Sequence, residues 1–113
     1  MKIETNKNES VTTISLTGRF DATVVGRFKE FLNSLSPNGT EQYVVDLANL
    51  QYIDSSGLGC LVFFLRQVRQ NGGEIKISTI SGKVRAVFEL TKLHRIFEIY
   101  DDSSTAVKSY AMH

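Results

Sequence analysis

Several residue types that usually carry covalent or metal chemistry are scarce in this chain of 113 residues. It has one cysteine, one proline, two histidines and no tryptophan. Its cysteine, Cys60, has no second cysteine with which to form a disulfide, and its position in an apolar segment predicts a small buried side chain. Because proteins of a reducing cytoplasm rarely use disulfides, this composition favours a cytoplasmic protein.

Excess charge and long apolar runs are lacking as well. The 13 Lys and Arg residues are matched by 12 Asp and Glu residues, so the balance of charge does not indicate nucleic acid or an anionic membrane as a partner. The longest apolar run, residues 60–65, is much shorter than the ~20 residues that cross a bilayer. The N-terminus also lacks the apolar core of a signal peptide. We therefore expect no membrane segment and no direct contact with nucleic acid.

No arrangement of catalytic or metal-binding residues is evident in the sequence. A nucleophilic serine needs a neighbouring base, but the internal histidine, His94, is predicted at the surface after a helix. The hydrolase motif G-x-S-x-G is absent, and a dinucleotide fingerprint that begins at Gly57 would have Val62 in place of its third glycine. No cluster of His, Cys and carboxylates has metal-ligand spacing. The sequence thus predicts a protein that is not an enzyme and that holds no cofactor or metal.

Strand-like and helix-like segments alternate along the chain, which is the pattern of the α/β class. Strands are predicted over residues 2–7, 11–17, 43–47, 74–80 and 96–100. Helices are predicted to begin at Asp21 or Thr23, near Ser56, after Ser81, and at Ser103 or Ser104. With 42% hydrophobic residues, a chain of this length is expected to form one domain over residues 1–113.

The expected sheet is mixed and mostly parallel, with four to five strands and about four helices. Tyr43–Leu47 is a nearly continuous apolar run, which predicts a strand buried on both faces at the centre of the sheet. The first two strands are close enough in sequence for an antiparallel hairpin at the edge, and Gly18 is predicted to end the second strand. Ser36-Pro37-Asn38-Gly39 should end the first helix, and Gly72-Gly73 should give the second helix a left-handed cap.

The segment Tyr52–Cys60 combines an acid, two hydroxyls and two glycines at a predicted helix start. Asp54, Ser55 and Ser56 are residue types that cap the free backbone N–H groups found there. Because the loops after parallel strands gather at one rim of an α/β sheet, the connection 46–56 is expected to carry these side chains to the rim where functional sites lie.

Two glycines in the first turns of the same helix need a separate explanation. Gly57 and Gly59 each cost roughly 1 kcal/mol relative to alanine inside a helix. They predict either a bare face on which a partner docks or close packing between the helix and a strand.

The same segment carries a specific resemblance. Tyr52-Ile53-Asp54-Ser55-Ser56-Gly57-Leu58-Gly59 resembles the signature of bacterial anti-sigma factor antagonists, the single-domain members of the STAS family. Leu16-Thr17-Gly18-Arg19-Phe20-Asp21 resembles the family's L-x-G-x-hydrophobic-D segment, and Asp46-Leu47 and Gly72-Gly73-Glu74 fit the pattern on either side of the signature. The resemblance covers essentially the whole chain and implies a STAS-like α/β domain. A mild departure is Ile53, where the family commonly has Met.

The resemblance implies a regulator that is switched by phosphorylation. In that family the serine directly after the aspartate is phosphorylated by a partner that is both anti-sigma factor and serine kinase, and the matching serine here is Ser55. The unphosphorylated form would bind this kinase and release sigma factor, phosphorylation would switch the binding off, and a serine phosphatase would restore it. The partner-binding residues that the resemblance implies are Asp21, Asp54, Ser55, Ser56, Gly57, Leu58 and Gly59.

Other interpretations stay open from the sequence. Ser55 could be a plain N-cap, and Asp54 could be only a cap or an acid that holds the loop. A STAS regulator could also control an output other than sigma factor, or it could be a non-phosphorylated subunit of a membrane transporter.

Overall fold

The computed structural model describes residues 1–35 and 41–112, and only the backbone of Met112. The predicted helix stop at Ser36-Pro37-Asn38-Gly39 and the C-terminal His113 lie outside these residues. Within the described ranges, five strands form one sheet in the order β1-β2-β3-β4-β5. They are β1 (Lys2–Asn8), β2 (Val11–Phe20), β3 (Gln42–Ile53), β4 (Glu74–Ser78) and β5 (Glu98–Tyr100).

The pairing of the strands confirms the predicted mixed sheet. β1 and β2 form the antiparallel hairpin at the edge, and every other neighbouring pair in the sheet is parallel. The described residues also contain α1 (Val25–Ser34), α2 (Ser55–Gln70), α3 (Gly82–Leu90) and α4 (Ser103–Ser109), with short 3-10 turns before α1 and after α3 and α4. The protein is therefore of the α/β class, as its alternating segments predicted.

α1, α2 and α3 cover one face of the sheet, and α4 covers part of the other. Buried side chains of the first three helices join the strands in one apolar cluster that includes Phe28 of α1 and Phe88 of α3. A smaller cluster on the opposite face contains Tyr110, which follows α4. β3 contributes Val45 to the larger cluster and Val44 to the smaller one, because successive residues of a strand point to opposite faces. Its predicted central position is confirmed.

β2 and β3 are longer than the sequence suggested. Gly18 was expected to end β2, and residues 46–56 to form a loop, but the two strands remain paired as far as Phe20 and Ile53. Two irregularities in their register, each with one extra residue in β3, interrupt the strand pattern, and Gly18 lies at the second with a φ of +98° that favours glycine. The predicted loop is therefore mostly strand, and Asp54 alone separates β3 from α2.

The end of α2 agrees with the sequence. Gly72 adopts a left-handed φ of +82°, and the amide of Gly73 donates to the carbonyl of Val68 at 2.9 Å. This is the predicted glycine cap, which satisfies carbonyl groups that the last turn of a helix leaves free.

Candidate functional site

β2 and β3 end side by side, and an aspartate follows each of them. Phe20 pairs with Ile53 at the ends of the two strands, and the amide of Asp54 donates to the carbonyl of Phe20 at 3.2 Å. The Asp21 carboxylate accepts from the amide of Thr23 at 3.0 Å and so caps the 3-10 turn before α1. The two strand ends thus bring both predicted acids to one rim of the sheet, 33 residues apart in sequence.

Asp21 is held by its own neighbours. Its carboxylate also accepts from the Thr23 hydroxyl, and Arg19 Nε lies 3.8 Å from Asp21 Oδ2. The side-chain hydrogen bond from Thr23, with smaller contributions from its amide and from Arg19, lowers the pKa of Asp21 below its ordinary value. The Arg19 guanidinium in turn lies over the ring of Tyr52, 4.0 Å from its centroid. Asp21 is therefore ionised at neutral pH, and its contacts fix the start of the segment that leads into α1.

Asp54 caps α2, and this leaves the hydroxyl of Ser55 out of the cap. Asp54 Oδ1 accepts from the amide of Gly57 at 3.0 Å, which is the N-cap hydrogen bond of the helix. Ser55 is the first residue of α2 and is exposed, whereas Ser56 is partly buried. The interpretation of Ser55 as a plain N-cap is therefore wrong, and its hydroxyl is accessible at the helix entry.

Gly57 and Gly59 have different structural roles. A Cβ on Gly57 would lie 2.5 Å from the carbonyl oxygen of Phe20 and 2.9 Å from its ring, so only glycine lets α2 approach the end of β2 this closely. A Cβ on Gly59 would meet nothing within 4 Å, and Gly59 is exposed. The close-packing interpretation therefore applies to Gly57, which is buried with Leu58, and the open surface is at Gly59.

A shallow groove lies between α1 and α2 next to the serines. This α1–α2 groove has a volume of about 280 Å³ and is lined by Val25, Lys29, Ser56, Gly59, Cys60 and Phe63. Sequence reasoning missed the part that Lys29 and Phe63 play in it. The available signal was spacing, because Ser55, Gly59 and Phe63 are four residues apart and so lie along one side of a helix.

Cys60 and His94 lie where the sequence predicted them, one buried and one at the surface. Cys60 is 5% exposed, and burial raises the pKa of its thiol. His94 is exposed and follows the C-terminal end of α3, whereas Ser55 lies at the N-terminal end of α2. Residues 1–35 and 41–112 contain no group of three or more His, Cys, Asp and Glu side chains that could hold a metal ion. None of the helices in this part of the chain is long and apolar enough to span a membrane.

The fold and this helix entry define a known class of protein. Residues 2–106 match the family model of the STAS domain. The chain therefore belongs to the STAS domain family, which confirms the resemblance carried by residues 52–59.

Its relatives include anti-sigma factor antagonists. The chain is 30% identical over 99 residues to an anti-sigma-B factor antagonist of Staphylococcus aureus, a match that covers 88% of this chain and 92% of the relative. An anti-sigma factor antagonist from Mycobacterium paratuberculosis has a similar structure, with a TM-score of 0.84 and 18% identity over 96% of this chain and 92% of that one.

A third relative, the Bacillus cell fate determinant SpoIIAA, has been solved in a phosphorylated form. That structure has a TM-score of 0.71 and 16% identity, and the match covers 96% of this chain and 99% of SpoIIAA. At this identity, as with the Mycobacterium structure, the likeness establishes the shared fold.

Proposed function

We propose that this protein is a cytoplasmic anti-sigma factor antagonist that works by partner switching and catalyses no reaction itself. Its unphosphorylated form binds an anti-sigma factor that is also a serine kinase, and sigma factor is released. Phosphorylation of Ser55 switches this binding off, and a serine phosphatase restores it. The observation that carries the proposal is the exposed Ser55 at the first position of α2, beside a separate residue that provides the cap. The similarity to anti-sigma-B factor antagonists supports it.

The helix entry can accept a phosphate without loss of the fold. Phosphorylation would add about −1.5 to −2 charges beside Asp54. Among the described residues, the amides of Ser55 and Ser56 have no acceptor, since the first helical hydrogen bond runs from Leu58 to the Asp54 carbonyl. Free amides and the helix dipole both favour an anion at this position. SpoIIAA has this same fold in a phosphorylated form, which supports the expectation that the fold survives phosphorylation.

The switch then acts at the interface with the partner. A kinase surface that packs on Ser55, Ser56 and Gly59 must desolvate a new phosphate or leave a gap around it. A hundredfold loss of affinity requires only about 2.7 kcal/mol, which desolvation and charge repulsion supply. Asp21 and Asp54 hold the two strand ends in place at the rim, and Gly57 and Leu58 support the helix entry from the core. Of the residues implied by the resemblance, Ser55, Ser56 and Gly59 would therefore contact the partner, and the others would hold these three in position.

The test is intact-mass spectrometry with site mapping, after incubation with ATP and each anti-sigma kinase encoded by the same genome. We expect a gain of one phosphate on Ser55, absent in Ser55→Ala. In binding measurements Ser55→Ala should stay bound in the presence of ATP, and Ser55→Asp should bind about a hundredfold more weakly. Undiminished binding of Ser55→Asp would refute the switch.

The chain contains its own matched control. Asp102-Ser103-Ser104 repeats the local sequence Asp54-Ser55-Ser56, and Asp102 caps α4 as Asp54 caps α2. The hydroxyl of Ser103 is hydrogen-bonded to that of Ser78 at 2.7 Å and is partly buried. Ser103→Ala should therefore leave phosphorylation unchanged. Tight binding of a kinase without any phosphate on the protein would instead favour a non-phosphorylated STAS subunit.

A further inference from the structure

One side of α2 remains uncovered below the modification site. Ser55, Gly59 and Phe63 follow each other at intervals of four residues, close to one helical turn. Phe63 is 49% exposed, whereas Phe64 beside it is 2% exposed and belongs to the core. Burial of the apolar face of α2 therefore does not explain Phe63. An aromatic side chain in this position resembles the anchors that dominate protein interfaces.

The α1–α2 groove beside Phe63 has space for a side chain from a partner. Its base includes Cys60, which is 5% exposed, and Val25 and Phe63 form apolar walls. Gly59 leaves an opening between them, since a Cβ there would meet nothing within 4 Å. A side chain that enters from outside could thus bury apolar surface without any rearrangement of α2.

Lys29 is the charged residue among those that line the groove, and its Nζ lies 6.0 Å from the centroid of the Phe63 ring. An apolar side chain flanked by a carboxylate would complement this surface.

We propose that the α1–α2 groove is a second contact site for the kinase partner, filled by one apolar side chain that has a carboxylate next to it. This inference rests on the proposed function. Ser55 then determines whether the partner binds, and the groove with Phe63 and Lys29 determines which partner binds. Contact at both places also fixes the orientation of α2 against the kinase, with Ser55 at one end of the interface.

The test compares four variants in binding to the kinase that phosphorylates Ser55. Gly59→Leu fills the groove and Phe63→Ala removes its wall, and each should weaken binding by about tenfold or more. Gly82→Leu and Leu90→Ala are matched controls, because a Cβ at Gly82 also meets nothing within 4 Å and Leu90 is 83% exposed. The controls should remain within about twofold of the unchanged protein. Thermal melting of each variant shows that the fold is retained, and replacing Gly59 should not lower its melting temperature.

Charge reversal provides an independent measurement. Lys29→Glu should weaken binding, and the loss should be greatest at low salt, where an exposed charge is least screened. Unchanged affinity for Phe63→Ala and Lys29→Glu, two residues outside the surface around Ser55, with normal phosphorylation of Ser55, would overturn the groove and leave the proposed function intact. If no anti-sigma kinase binds the unchanged protein, both proposals fail. A shift from dimer to monomer caused by Phe63→Ala, seen by sedimentation, would assign the groove to a second copy of this chain and overturn the proposal.

Discussion

At the scale of single residues, Asp54 and Ser55 have different roles at the start of α2. Asp54 provides the cap that a helix start needs, and this leaves the neighbouring hydroxyl exposed. An aspartate at this position thus has a structural explanation without any contact to a partner. Its charge and its capping oxygen can be separated by substitution, because asparagine retains the oxygen and lacks the charge.

We expect Asp54→Ala to lower the free energy of unfolding by about 1 kcal/mol, the usual cost of a lost N-cap. Asp54→Asn should retain both stability and phosphorylation of Ser55, because the Asn side chain can accept the same hydrogen bond from Gly57. Urea unfolding measures the stability of both variants, and the mass-spectrometric assay measures phosphorylation of Ser55. A stable Asp54→Asn variant that the kinase no longer modifies would show that the charge itself is recognised.

The sequence predicted this group of residues but not the role of each. The types Asp, Ser and Ser at a helix start are all good caps, and only the backbone conformation determines which of them has its side chain on the Gly57 amide. The two glycines posed the same difficulty. Gly57 contacts Phe20, a residue 37 positions earlier, so its close packing could not be derived from local sequence.

At the scale of elements, β3 is where the sequence pattern was least informative. Its first half is a continuous apolar run and was recognised as a strand, but its second half contains two extra residues relative to β2. Each extra residue reverses the alternation of buried and exposed side chains, so the period of two that identifies a strand is lost. The helices were predicted better, because their apolar stripes and capping residues are local features.

α4 is held against the sheet by buried polar groups as well as by apolar contact. The Tyr110 hydroxyl donates to the carbonyls of Tyr43 and Glu74, at 2.7 and 3.0 Å. Lys76, whose side chain is 4% exposed, places its Nζ 4.1 Å from the centroid of the Tyr110 ring and 2.6 Å from Ser109 Oγ. These contacts fix the start of β3 and β4 to the C-terminal segment.

Tyr110→Phe should destabilise the protein by about 1–2 kcal/mol at neutral pH, because buried carbonyls lose their hydrogen-bond donor. Burial raises the pKa of the Tyr110 hydroxyl above its ordinary value of about 10. Folding therefore favours the neutral hydroxyl of Tyr110. The contribution of this hydroxyl to the free energy of unfolding is complete below pH ~10 and is lost as the pH rises beyond that value. Urea unfolding at pH 7, 9 and 10.5 should show a difference between the two proteins that shrinks only at the highest pH. If the difference in unfolding free energy between the two proteins were the same at all three pH values, the raised pKa of the Tyr110 hydroxyl would be contradicted.

At the scale of the whole molecule, the proposed functional residues lie where β2 and β3 end, and the hydrogen bonds of the Tyr110 hydroxyl lie at the other end of the sheet, where β3 and β4 begin. The parallel strands determine this arrangement, since β2 and β3 both end at the rim that carries Asp21 and Asp54. The rim was predicted from the order of the elements alone. Its shape was not, because it depends on how far β2 and β3 extend and on which helix surfaces remain uncovered.

Recognition by the kinase should require the folded protein. A synthetic peptide of residues 48–62 contains Ser55 with its flanking sequence but has to pay the conformational entropy of forming the strand end and the helix entry. We expect its kcat/KM for phosphorylation to be lower than that of the intact protein by about a hundredfold or more. Equal rates for the peptide and the protein would show that the kinase reads a short linear sequence.

Only one residue, Asp54, separates β3 from α2, and this affects what happens to the proposed switch when the protein unfolds. Ser55 has no length of loop in which to move independently, so its position exists only when the strand end and the helix are both formed. Under the proposed switch, a copy damaged by heat or oxidation would neither bind the kinase nor be modified by it. A damaged copy would therefore be inactive and could not remain permanently bound to the kinase. The ratio of phosphorylated to unphosphorylated Ser55 among molecules that can bind the kinase would then depend on folded protein alone.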